Sequence, residues 1–345
     1  MFGKITLATA AALGIAAVSA LGTTPAKADA VLLVALKFDA QGMLYAADAK
    51  NDRLLGLAIE EKEGKARAVK IDNLSEQLGK ALEAGADPVN VLDVAVHPIS
   101  HTVYLSASKK GGAGTTLFRV TPDNKLEKVD LSSLKTSSVA LPAGARPFDV
   151  VVTSKDVVVS SMNRDKTFGS ALHRIALPLK EGGVATAETE IYHTSHKRWE
   201  TKAPLVAMAG FSSGGQDYIM GSTACTPVVR IGVADVADKK KVQTQTIVEL
   251  GSRNAPVSML VYTKGDQQSL LVTNNKEGAY KVAQPILAEK AKLNEQAVNR
   301  GAGVAIETVE SWKGAKKSAI LDGVSAVVVR DGGDGTLSLQ TLPLP

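Results

Sequence analysis

The strongest constraint on this chain is a pattern that recurs along it in six copies. An apolar strand is followed by a short turn, a second apolar strand ending in small or hydroxyl residues, a polar loop and a third strand. The copies begin at Leu33 (LVALKFDAQGMLYAADAKNDRLLGLAI), Leu92 (LDVAVHPISHTVYLSASKKGGAGTTLFRV), Phe148, Leu205, Val257 and, in a weaker form, Ser318. Their second strands align near Tyr45, Tyr104, Val158, Tyr218, Leu270 and Val327, so successive copies stand 52 to 60 residues apart. A unit of that size holds four strands. A fourth strand is readable after most copies, over residues 66–71, 126–131, 186–192, 243–250 and 304–309. Val, Leu, Ile and Thr fill these segments, and Gly, Pro, Asn and Asp bound them, as strands and turns require.

Repeated four-stranded sheets hide their edges when packed radially, and each then buries both faces. The expected fold is therefore all-β: a single β-propeller of about six four-stranded blades, with five to seven allowed, spanning residues 31–345. Two short helical insertions are expected in its loops. Leu74, Leu78 and Leu82 fall at i, i+4 and i+8, with Ser75 as the cap and Gly85 and Pro88 as the stop, and residues 286–298 form the second.

Residues 1–30 read as a signal peptide. Lys4 supplies the positive start, residues 5–21 the apolar run, and Ala26-Lys27-Ala28 or Ala28-Asp29-Ala30 the small-x-small cleavage site. The mature protein is expected to be periplasmic or secreted. No later stretch is long and apolar enough to cross a membrane, so no stable span is expected after cleavage. The 40 basic and 35 acidic residues are interspersed, which leaves no footprint for nucleic acid. Cys225 is the single cysteine, so an internal disulfide is excluded, as is C-x-x-C-H haem attachment. The KKK run at 239–241 is expected to be a solvated hairpin tip.

Through the phrase DVAVHPISHTVYLSAS and its echoes, the chain resembles the bacterial propellers of the YVTN, NHL and SMP-30 kinds over most of residues 31–345. The WD dipeptide of WD40 blades is absent. With Trp199 and Trp312 as the two tryptophans, the repeated tryptophan docking pattern of quinoprotein alcohol dehydrogenases is missing as well. In the SMP-30-like lactonases a carboxylate and amide oxygens around the channel hold a divalent ion. The inner-strand glutamate which that resemblance would require is not identifiable here.

Strand counting places the loops between second and third strands on one face, here called upper, with the connections between blades. Loops held by a rigid scaffold are the usual carriers of function. His193, His196 and Cys225 are expected on this face, beside Arg198, Trp199 and Lys202. Imidazoles and a thiolate are metal ligands, although the spacing matches no zinc or copper signature. Packed cysteine and polar loop histidines explain the same residues. A second set consists of Asp48, Asn51, Asn163, Arg164, Asn274, Asn275, Asp331 and Asp334 at equivalent loop positions. Its Asp and Asn residues are oxygen ligands for a hard cation or ordinary turn residues. Arg146 and Arg253 precede inner strands in GARPF and SRNAP, and could hold a carboxylate or phosphate.

Three motifs fail on context. GFSSG at 210–214 lies in a turn between strands, GGAG at 111–114 lacks a following helix, and DGGDG at 331–335 lacks EF-hand spacing. His97 and His101 belong to a turn on the opposite face, and His173 to a third strand. The first functional expectation is a binding or accessory protein that recognises a small anionic ligand or a periplasmic protein on its upper loops. The alternatives are a metal-dependent hydrolase or lactonase using a divalent ion, and a redox-associated metal-binding protein built on the His and Cys cluster.

Overall fold

A computed structural model describes residues 30–163, 169–193, 197–225, 227–251, 254–275, 278–282 and 303–345. The leader through residue 29 and the helical candidate at 286–298 lie outside the described residues.

Along the chain, β1 (Leu33–Phe38), β2 (Met43–Asp48) and β3 (Arg53–Ala58) form a meander, followed by β4 (Lys70–Ile71) and the helix α1 (Leu74–Ala81). Next come β5 (Val89–Val96), β6 (Val103–Lys109), β7 (Thr116–Val120), β8 (Leu126–Lys128) and β9 (Thr136–Ala140). The third blade begins with β10 (Ala145–Val152), β11 (Asp156–Asn163), β12 (Ser170–Ala176), β13 (Val184–His193) and β14 (Arg198–Glu200). The fourth is drawn from β15 (Leu205–Ser213), β16 (Gln216–Thr223), β17 (Pro227–Gly232), β18 (Lys240–Gln243) and β19 (Gln245–Glu249). The fifth contains β20 (Pro256–Lys264), β21 (Gln267–Asn274), β22 (Gly278–Val282) and β23 (Ile306–Val309), and the sixth β24 (Ala315–Ile320), β25 (Ser325–Asp331) and β26 (Leu337–Pro343).

These strands make six antiparallel blades in a ring. Second strands such as β11 lie between two neighbours within the sheet and have both faces covered by adjacent blades. Val157, Val158, Val159, Ser160 and Ser161 are all buried, which explains a run with no polar alternation.

Two fourth strands do not follow their own copy. The segment at 66–71, expected to complete blade 1, instead completes blade 6: Ile71 pairs with Leu339 and Lys70 with Gln340. Blade 1 receives β9, which arrives only after all of blade 2 has been built. The hydrophobic clusters reflect the resulting order. Separate clusters join blades 1 and 2, 1 and 3, 3 and 4, 4 and 5, 5 and 6, and 6 and 2. Around the ring the blades therefore run 2, 1, 3, 4, 5, 6.

The connection from β3 to β4 must cross the lower side of blade 2. Gly64 N–H donates to Ile99 O at 3.1 Å. The Arg67 guanidinium donates to the carbonyls of Val120, Thr121 and Pro122. Glu61 accepts from the hydroxyls of Ser100 and Tyr104.

The helix α1 forms where Leu74 and Leu78 are buried against blades 2 and 6. Asn73, not Ser75, occupies the cap position. Ser75 Oγ instead accepts from Leu337 N at 2.7 Å, tying the helix to β26. The lysine run is also not a tip. Lys240 and Lys241 lie in β18, which leaves blade 4 to pair in parallel with β13 of blade 3, and Lys241 Nζ stands 3.2 Å from Glu190.

Every inner strand carries a register shift near its upper end, at 33/35, 91/93, 147/149, 205/207, 256/258 and 315/317. Such a bulge bends the strand and re-aims the next residue. In the six blades that next residue is Ala35, Asp93, Asp149, Ala207, Ser258 or Lys317. Three of these reach the following blade around the ring. Asp93 accepts from Leu36 N at 2.7 Å, Asp149 from Met208 N at 2.5 Å, and Ser258 Oγ meets Ser318 Oγ at 3.0 Å.

Candidate functional site

Most of the upper-face candidates hold the fold's own turns. Asp48 is buried and accepts from Leu32 N, Lys50 N, Asn51 Nδ2 and Arg53 Nε. Burial pushes its carboxyl upward, but these hydrogen bonds outweigh that and hold it below the usual carboxylate range. Asn51 also donates to Ala30 O. Asn163 is buried and donates through its backbone to Gly169 O, and Asn275 N–H donates to Ala255 O. Asn274 is buried at the end of β21. Asp331 accepts from the N–H groups of Gly333 and Gly335 in its own turn, and Asp334 from that of Thr336. Arg146 is exposed with its guanidinium 5.8 Å from the Phe148 ring centroid, and Lys202 is exposed. Arg164, His196 and Arg253 lie outside the described residues.

At the upper rim, between blades 3 and 4, Glu200 and Glu249 stand near His193 and also act on Cys225. His193 ends β13 with Nδ1 3.6 Å from Glu200 Oε2 and Nε2 3.8 Å from Glu249 Oε1. Cys225 is exposed in the loop after β16; partial burial, then the charges of Glu200 and Glu249, push its thiol up. A thiol kept protonated is a poor nucleophile and a poor metal ligand. Among the described residues, no three His, Cys, Asp or Glu side chains form a group able to hold a metal ion. Glu200 and Glu249 carried no motif in the sequence. Each ends a strand, and only the pairing of β14 with β13 and of β19 with β17 brings them to one imidazole.

The other histidines are structural. His97 is buried on the lower side, where Nδ1 accepts from Ser100 N at 3.1 Å and Nε2 lies 3.3 Å from Ile59 O. His101 Nδ1 lies 2.8 Å from Leu321 O. His173 is buried between Ser161 Oγ and Thr186 Oγ1, and burial lowers its pKa to about 4, so it stays neutral.

The central channel holds what sequence reasoning passed over. Its lower mouth is a cavity of about 310 Å³ walled by inner strands of all six blades. Val94, Val96, Val151, Val152 and Met259 make most of the wall, and small residues such as Ala95, Ala209, Gly210 and Ala319 leave the space open; Lys37 brings in a positive charge and Asp39 a negative one, the latter already accepting from Gln41 N, Met43 N and the Tyr45 hydroxyl. Above Val151 in β10 stands Asp149, which is half-buried. Its pKa is pushed up to about 6, by burial first; Lys37 and Lys317 oppose the rise, and Asp93 adds to it. The signal was in the repeats, where LDV at 92–94 and FDV at 148–150 set an acid after the residue that becomes the bulge.

No family model matches the chain, and no curated protein does. Two solved structures are similar to it at low identity. A GH43_1 enzyme from Xanthomonas citri complexed with xylose has 9% identity and a TM-score of 0.40, over 81% of this chain and 91% of that one. A streptogramin B lyase has 10% identity and a TM-score of 0.35, over 91% of this chain and 94% of that one.

Proposed function

We propose that the protein is an exported binding protein that takes a small ligand, with an apolar body and an anionic end, into the lower mouth of its channel. The observation that carries this reading is the convergence of six inner strands on an apolar cavity that contains Lys37 and lies below Asp149, whose carboxyl is raised to about 6. A mostly apolar concavity with a few convergent charges and a perturbed titrating group is the usual character of a small-molecule site. Export rests on Lys4, the apolar run and the small-x-small site of the leader. The lower mouth is preferred to the upper loops because Asp48, Asn51, Asp331 and Asp334 already serve turn hydrogen bonds there.

The chemistry fixes a direction. Protonating Asp149 removes a negative charge that competes with an anion for Lys37, so binding of a carboxylate tightens as pH falls through about 6. Calorimetric titration with hexanoate and benzoate, at about one pH unit on either side of that value, tests this. Saturable binding that is stronger on the acid side and lost in Lys37→Met supports the reading. No saturable binding of either anion, or unchanged binding by Lys37→Met, overturns it.

A further inference from the structure

We infer that a groove on the outer side of the junction between blades 3 and 4, separate from the channel, binds a neutral saccharide. The groove encloses about 410 Å³ where β14 and the step from β18 to β19 face β16 and β17. Its walls include Trp199, Tyr218, Arg230, Asp235, Thr244 and Gln245.

Three features point to the ligand class. Trp199 is among the few large apolar side chains left in solvent, at 38% exposure, held edge-on to Tyr192 with ring centroids 5.5 Å apart. An indole placed this way offers a flat apolar surface beside polar groups, which suits a ligand with one C–H face and a polar rim.

The second feature is a pair of buried polar atoms with work left to do. Thr244 is 3% exposed; its N–H donates to Glu190 O at 2.9 Å, but its Oγ1 has no hydrogen-bond partner among the described residues. Gln245 Oε1 accepts from the Arg230 guanidinium at 2.6 Å, which fixes the amide, and Nε2 is buried with no partner among the described residues. Buried polar atoms are nearly always paired, because leaving them unpaired forfeits their hydration. A hydroxyl that donates or accepts and an amide that donates match vicinal sugar hydroxyls, which do both.

The third feature is charge. Arg230 and Asp235 oppose each other in the groove, so it offers no net attraction for an anion. A polyhydroxylated neutral ring satisfies the indole and both orphan atoms, whereas a purely apolar ligand would leave the orphan atoms unpaired.

Tryptophan emission provides the test, since Trp312 is fully buried and Trp199 alone meets solvent. The full chain would be titrated with cellobiose, maltose and chitobiose, and with glucuronate as the charged comparison. The expected result is a saturable emission change with at least one neutral sugar. Trp199→Ala and Gln245→Ala should each weaken that binding by about tenfold, followed for the former by calorimetry, while Trp199→Phe retains part of it. The inference is overturned if no neutral sugar binds, if glucuronate alone binds, or if both alanine variants bind as the parent does while melting normally. Because the channel test uses Lys37→Met and alkyl or aryl carboxylates, either proposal can fail without the other.

Discussion

Asp149 gives the clearest consequence at the scale of single residues. In the unfolded chain its carboxyl titrates in the ordinary aspartate range, and in the folded protein it is pushed up to about 6. Between those values the folded state binds more protons, so stability declines as pH rises through this window and the penalty is complete above about 6. Asp48 and Glu61, held below the normal range, act the other way and only at lower pH, where stability is lost as they protonate. Thermal melts from pH about 4 to about 7 should show the melting temperature falling. Asp149→Asn keeps an amide oxygen for Met208 N–H, so it should flatten that slope; parallel curves for the two proteins would count against the assignment. At the upper rim, Cys225 should react slowly with iodoacetamide at neutral pH. Glu200→Gln removes the larger of the two carboxylate effects, and should lower the thiol pKa and speed alkylation severalfold.

At the scale of elements, β4 and its approach are the least expected feature of the chain. A strand of two residues has little pairing of its own, so its position depends on the path below blade 2. Arg67 makes three charge-assisted bonds to carbonyls there, and Arg67→Ala should cost about 1–2 kcal/mol in urea unfolding. An unchanged midpoint would show that the crossing is held by other contacts. The sequence made the strands themselves legible, because Val-rich runs bounded by turn residues recur at a nearly constant period. It misassigned β4 because a lone pair such as Lys70-Ile71 carries no information about which sheet edge it will meet. Similarly, β18 looked like a charged tip because the backbone of β13, which it pairs with, lies about fifty residues away.

For the whole molecule, ring closure depends on the N-terminal segment twice. Residues 33–58 supply three strands of blade 1, and the strand that follows them finishes blade 6. The bond from Val69 N to Thr341 Oγ1 joins residues 272 positions apart, and contacts of that separation form slowly because the loop entropy is paid first. Deleting residues 1–58 should therefore expose the facing surfaces of blades 2 and 3. The expected outcome is dye binding to apolar surface and loss of a single cooperative melt; a truncated chain that melted like the parent would contradict the closure.

By itself, the sequence determined the class of structure: period, strand content and turn chemistry are local properties, and six copies of a four-stranded unit have few ways to bury their faces other than a ring. Strand counting also put the end of β13, where His193 lies, and the loop after β16, which holds Cys225, at strand ends. Only the tertiary structure decided the exchange of blades 1 and 2 around the ring, the placing of Glu200 and Glu249 against His193, and the channel position of Asp149. Each of these depends on which distant backbone a strand meets, and on the electrostatic environment that meeting creates. Neither is written in the residues that flank it.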